Sequence, residues 1–215
     1  MNESLLKLRS WKYFLMVIGF SALLAFSFNY LFFSDGIYYQ SFGEKLATDR
    51  IADMVEQSQK WQWLGYVFIP IVVLIRVSFT AICIYTGQFL ANLKVRFRDL
   101  FKVALIADFV FVLAGLVKLV ILIFFKEVST LDDLQFQPLS LMEVFDKKEV
   151  DALFIYPLSL VSIFEALYWF ALAWLLTGVI DKPFGNSLKT VASSYGTGLL
   201  LWVLFVMFLT VNLSS

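Results

Sequence analysis

Four ionisable side chains lie inside the most apolar stretches of the chain: Arg76, Asp108, Lys118 and Glu165. A charge near the centre of a bilayer costs about 2.5–3.5 kcal/mol on insertion scales. Each of the four therefore needs a partner, water or a task. Two cations and two anions in apolar surroundings can pair with one another. They can also form a polar site for a proton, an ion or an anionic headgroup.

Arg76 and Glu165 form the expected pair. Arg76 lies 13 residues past Trp63, where the second apolar stretch begins, and Glu165 lies 12 residues past Leu153, where the fourth begins. Helical rise places both about 18–20 Å along stretches that run in the same direction. A salt bridge between them would set helix register, or leave a polar site in the bundle interior. Asp108 sits near the start of the third stretch. Its short carboxylate is expected to meet Lys94, Arg98 or Lys102, or to line a cavity open at that end. Lys118 sits near the far end and is expected to snorkel.

Other chemistry is hard to build. The chain has no histidine and a single cysteine, Cys83. That removes histidine triads, histidine metal sites and internal disulfides. There is no phosphate-binding glycine loop, no zinc-protease helix and no nucleophile elbow. The expectation is a protein that is not an enzyme and needs no cofactor or metal.

Apolar residues make up 60% of the 215 residues, against about 45–50% in soluble domains. The pattern predicts an all-α polytopic membrane protein, a single domain of five spans at about 11–33, 63–90, 101–125, 153–180 and 188–212. Each is long enough to cross a hydrocarbon core. The first is too long for a signal peptide core and is read as a retained anchor. With the N-terminus inside, the inner segments carry nine basic and three acidic residues, while the outer loops carry six basic and twelve acidic. The positive-inside rule then gives N-in and C-out.

The outer loops, 34–62 and 126–152, have patterns of their own. Residues 43–60 place Leu46, Ile51, Met54 and Val55 on one face of an amphipathic helix that leads into Trp61 and Trp63. Ser140 followed by Glu143 predicts a capping box and a short helix, 140–146, on the outer membrane surface. Pro70 is expected to kink the second span near Arg76. Ala192-Ser-Ser-Tyr-Gly196-Thr-Gly198 predicts close helix packing. Asn29 and Asn212 are expected to bond to neighbouring helices. Lys94, Arg96, Arg98 and Lys102 are candidate contacts for lipid headgroups. No basic domain stands outside the membrane, so nucleic acid is not an expected partner.

Three stretches carry a family likeness. Phe97-Arg-Asp-Leu-Phe-Lys102 leads into the third span. Leu158-Ser-Leu-Val-Ser-Ile-Phe-Glu165 is followed by Leu172-Ala-Trp. Asp181-Lys-Pro-Phe-Gly185 is a short turn before the last span. With five spans, the chain resembles the YIP family of membrane proteins, including its bacterial members, over roughly residues 63–212. The family's Asp-Leu-Tyr-Gly-Pro-type motif and its long cytoplasmic N-terminal region have no counterpart, so no GTPase-binding role is implied. The resemblance implies a helical membrane protein acting through other proteins or lipids, and transfers no site residues. The first reading is therefore an accessory or scaffold protein of a bacterial inner membrane, working with the bilayer and other membrane proteins. The alternative is a small transporter or channel subunit with a polar path along Arg76, Asp108 and Glu165. A third reading, lipid handling, would need a groove opening sideways near residues 94–102.

Overall fold

A computed structural model describes residues 10–44, 46–146 and 149–214. Lys7 and Arg9, used in the charge count, lie outside these, as do Glu3, Lys45, Lys147 and Lys148. Among the described residues there is helix and loop but no strand; one isolated bridge joins Ser140 and Ser162. The helices are α1 (Ser10–Phe32), α2 (Asp35–Phe42), α3 (Thr48–Leu90), α4 (Phe97–Ala107), α5 (Phe109–Phe124), α6 (Leu131–Leu134), α7 (Ala152–Leu160), α8 (Ile163–Ile180), α9 (Phe184–Val191) and α10 (Thr197–Ser214).

Among the described residues, five helical segments are long and apolar enough to cross a membrane: Ser10–Phe32, Thr48–Leu90, Phe97–Phe124, Ile163–Ile180 and Phe184–Leu213. Their outer faces are apolar. Leu23, Ile75, Leu201 and Phe208 are each more than 60% exposed. A helix that is apolar all round is stable against lipid or inside protein, not in water. In the interior, α3, α4 and α8 share one core of Val77, Ile84, Leu100, Leu105, Tyr168 and Leu172. α9 packs on α8, and α1 lies against α3 and α5.

Several boundaries differ from the sequence reading. The second span and the amphipathic helix before it are one 43-residue helix, which continues through Pro70. Ile51 and Val55 are buried as the pattern predicts, but Met54 and Leu46 are exposed. The third span is divided at Asp108, between α4 and α5, where the Asp108 N–H still donates to the Ala104 carbonyl. The fourth is broken at Val161–Ser162, so α8 starts at Ile163 rather than near 153. Open backbone groups at such a break need partners, because lipid offers none. The loop supplies them: Leu141 N–H donates to the Val161 carbonyl at 2.9 Å, and Ile163 N–H to the Leu139 carbonyl at 3.1 Å. Leu139 adopts φ 56° to do so, a left-handed conformation costly for a branched residue.

The predicted capping box at Ser140 does not form. Ser140 Oγ donates to the Gln137 carbonyl, and Glu143 Oε1 accepts from Gln137 N–H. Residues Leu141–Val144 make a 3-10 turn with Met142 buried, not a helix over 140–146. Instead the box lies at Thr130 and Asp133, ahead of α6. The reason is the chain entry: Gln137–Ser140 is drawn toward the helix break, whereas Thr130 is free to start a turn. Asp133 Oδ2 accepts from Thr130 N–H, Thr130 Oγ and Ser129 N–H. Partial burial pushes its pKa up, but these bonds and Lys126 outweigh that and hold it below the usual carboxylate value. A depressed carboxylate stabilises the fold above its unfolded pKa and loses that contribution as pH falls through its folded pKa. Carbon NMR of Asp133 in detergent should give a midpoint below about 3.9. Thr130→Ala should bring it back toward that value; a midpoint unchanged by this substitution would count against the box.

The small-residue stretch packs as expected. It contains a π turn, Ala192–Gly196, that faces α3. A side chain on Gly87 would collide with Cβ of Ser194, and one on Gly198 with Sγ of Cys83. Gly87→Ala is expected to cost about 1–3 kcal/mol, read by thermal unfolding in detergent. Ser194→Gly in the same chain should recover much of that loss; no recovery would place the strain elsewhere. Asn29 Nδ2 donates to Tyr66 Oη across helices, but Asn212 Nδ2 donates within its own helix, to the Phe208 carbonyl. The helix turn already offers Asn212 that acceptor.

Candidate functional site

The expected Arg76–Glu165 salt bridge does not form. Arg76 pairs with Asp108: Nε donates to Oδ1 and Nη2 to Oδ2, both at 2.7 Å. The correction has a clear cause. α8 begins only at Ile163, which leaves Glu165 in its first turn, while the Asp108 carboxylate takes two parallel N–H donors from the guanidinium, a strong geometry. The Asp108 side chain is fully buried and that of Arg76 is 35% exposed. So Asp108 meets neither Lys94, Arg98 nor Lys102 in a salt bridge; it is neutralised from the neighbouring helix. The Phe111 ring lies 4.4 Å from the guanidinium carbon, within cation–π range.

Glu165 sits in the first turn of α8, not mid-helix. Ser162 caps that turn by accepting from Glu165 N–H. Glu165 Oε1 accepts from Trp169 Nε1 and from Tyr195 Oη, each at 2.9 Å. Among the described residues no hydrogen bond reaches Oε2. Arg76 is near enough to act on Glu165 electrostatically without touching it.

An aromatic cluster holds these groups in place. Tyr168 is fully buried and donates to Thr80 Oγ at 2.9 Å. Its ring centre lies 4.7 Å from that of Phe111 and 5.6 Å from that of Tyr195. The sequence reading missed Tyr168, Trp169 and Tyr195. The signal was there for two of them: Glu165, Tyr168, Trp169 and Leu172 recur at helical spacing.

Arg76, Lys118 and Glu165 line one half-open cavity of about 390 Å³, together with Phe111, Tyr156 and Ser159. Gln137 and Pro138 reach it from the loop. That volume falls within the usual range for small-ligand sites, about 300–1,000 Å³. Lys118 also borders a second, apolar groove of about 360 Å³ between α1 and α5. Its ammonium lies 5.4 Å from the centre of the Phe28 ring. So Lys118 faces two hollows inside the bundle.

No family model, curated protein or solved structure matches the chain. The remaining candidates lie elsewhere in the fold. Lys94, Arg96 and Arg98 are exposed and Lys102 is half-buried. Arg96 pairs with Asp99 at 2.8 Å. Arg98 borders a shallow hollow with Trp11, Phe97 and Phe101. None of these four lines the cavity of Arg76 and Glu165.

Proposed function

We propose that this chain binds a small charged or dipolar group inside its membrane-embedded cavity, as a small non-enzymatic transporter or channel subunit. One observation carries the reading: three ionisable side chains from three different helices border the same half-open space. A buried ion pair alone would only fix helix register. Glu165 lies outside that pair, and the cost of placing a carboxylate there is offset further when it meets water or a ligand. The positive-inside balance supports N-in and C-out, which puts the cavity mouth, with Gln137 and Pro138, toward the outer side. The brevity of the loops and the likeness to bacterial YIP members support a bacterial inner membrane.

The test is access of a water-soluble thiol reagent. Ser159→Cys in a Cys83→Ala background should react in proteoliposomes, and Ala114→Trp, which fills the space, should cut the rate about tenfold. If that cysteine stays inert while a cysteine at exposed Ser129 reacts, the cavity is closed to ligands.

A second reading, an accessory protein, has its own support. α2, α6, Phe136 and the end of α5 build a small core of Ile37, Leu122, Leu134 and Phe136. Trp61 and Trp63 are more than half exposed. A folded, acidic cap suits contact with another membrane protein. Mild-detergent extraction from the native membrane should then bring a stoichiometric partner; a lone protein counts against it.

A further inference from the structure

We propose that a separate hollow, between α1, α2 and α3, binds an uncharged polyhydroxylated ligand such as a sugar ring. It shares no lining residue with the cavity of Arg76 and Glu165, so the two readings stand or fall independently.

The hollow is a built site. Its volume is about 630 Å³, within the usual range for small-ligand sites. Gln59 Nε2 of α3 donates to Asp35 Oδ1 of α2 at 3.1 Å. Tyr38 of α2 and Ser58 of α3 share a bond between their hydroxyls at 2.6 Å. Asn29 Nδ2 of α1 donates to Tyr66 Oη of α3 at 3.2 Å. All of these except Tyr66 border the hollow. The bonds tie the walls together and leave capacity over. An amide side chain has two donor hydrogens and an acceptor oxygen, and an ionised carboxylate has two acceptor oxygens. Among the described residues no hydrogen bond reaches Asp35 Oδ2, Asn29 Oδ1, Gln59 Oε1 or the side chain of Gln62, which also borders the hollow.

Charge narrows the ligand. Among the described residues no lysine or arginine borders the hollow. An anion would meet only the Asp35 carboxylate, which repels it. One carboxylate is also too little for a bare metal cation, which asks for about six oxygen ligands. Groups that donate and accept at once suit the lining best, and the hydroxyl is such a group. An amide offers donor and acceptor side by side, as two neighbouring hydroxyls on a ring require.

The apolar part of the lining fits the same ligand. Phe33 and Trp61 border the hollow and both rings are exposed. A sugar carries hydroxyls around its edge and C–H bonds on its faces, so it uses amides and aromatic rings together. Gly65 leaves the room: a Cβ there would meet nothing within 4 Å.

The experiment is native mass spectrometry of the full chain in a polyoxyethylene detergent, which carries no sugar. The probes are monoglucosyldiacylglycerol, diacylglycerol and phosphatidylglycerol at equal concentration. The glucosyl lipid should bind about tenfold tighter than either of the others. Gln62→Ala, and Gly65→Leu, which fills the hollow, should each remove most of that preference. Ala114→Trp, which fills the other cavity, should leave it unchanged. Excess maltose separates two sources of the sugar, and either result fits the proposal. Displacement of the glucosyl lipid means that a free saccharide suffices; no displacement means that the sugar is read as a lipid headgroup. Equal binding of the three lipids overturns the proposal, as does tighter binding of phosphatidylglycerol. A preference that persists in Gly65→Leu, or is lost in Ala114→Trp, places the sugar elsewhere and overturns it too. Should Gly65→Leu not fold, Gln62→Ala decides in the same way.

Discussion

Asp108→Ala should destabilise the protein by about 3–5 kcal/mol, the range for breaking a buried ion pair by removing one partner. The Asp108 side chain is fully buried and accepts from Nε and Nη2 of Arg76, each at 2.7 Å. Without it a guanidinium remains that cannot shed its proton. Arg76→Met should cost less, because a lone carboxylic acid can become neutral by keeping a proton. Joining the two changes as Arg76→Met with Asp108→Leu should return stability to within about 1–2 kcal/mol of the parent, since apolar replacements of a buried pair are often neutral. Unfolding in mixed micelles, run as a double-mutant cycle, measures the coupling. A cost under about 1 kcal/mol for Asp108→Ala, against that range, would mean that water in the cavity satisfies Arg76 unaided. A double variant as unstable as Asp108→Ala would mean that volume matters there, not charge.

The second large effect is expected at Tyr168. It is a fully buried side chain at the meeting of α3, α5, α8 and the π turn, with Phe111 on one side and Tyr195 on the other. Tyr168→Ala removes a large ring from a packed site and should cost about 3–5 kcal/mol, as for other buried aromatics. Tyr168→Phe keeps the ring and loses only the bond to Thr80 Oγ, so it should cost about 1 kcal/mol. The same unfolding assay separates them. Equal losses for both variants would show that the hydroxyl bond, not the ring, holds the cluster. A further consequence concerns the site: Tyr195 packs on Tyr168 and donates to Glu165. Tyr168→Ala should therefore disorder Glu165, which fluorescence of the adjoining Trp169 would report.

Much of the architecture can be read from residue order alone. Lipid leaves few options: a chain crossing it must satisfy its backbone internally, so an apolar run of sufficient length is a helix. Five such runs were legible, and the described residues hold five helical segments of that kind. The four charged residues were legible for the same reason, because each stands out against its apolar run. Partner choice was not. Depth along a straight helix put Arg76 level with Glu165, but α8 begins only at Ile163 and Asp108 stands at the junction of α4 and α5, bonded to Arg76. Those two departures depend on contacts distant in sequence. Leu139 and Leu141 satisfy the break at Val161–Ser162, and no local pattern announces a loop arriving from twenty residues away.

The loop capping box shows the same division. Ser140 with Glu143 and Thr130 with Asp133 carry equivalent local signals. Only the second forms, because the first has its backbone drawn to the broken helix. By itself the amino-acid order determined that this is a helical membrane protein with costly charges in its interior. Only the tertiary structure decided that Asp108 neutralises Arg76, that aromatic donors orient Glu165, and that Lys118 borders both a polar cavity and an apolar groove. The physical reason is range. Hydrophobic length and helix periodicity are properties of neighbouring residues, whereas ion pairing and cavity shape depend on how separate helices meet.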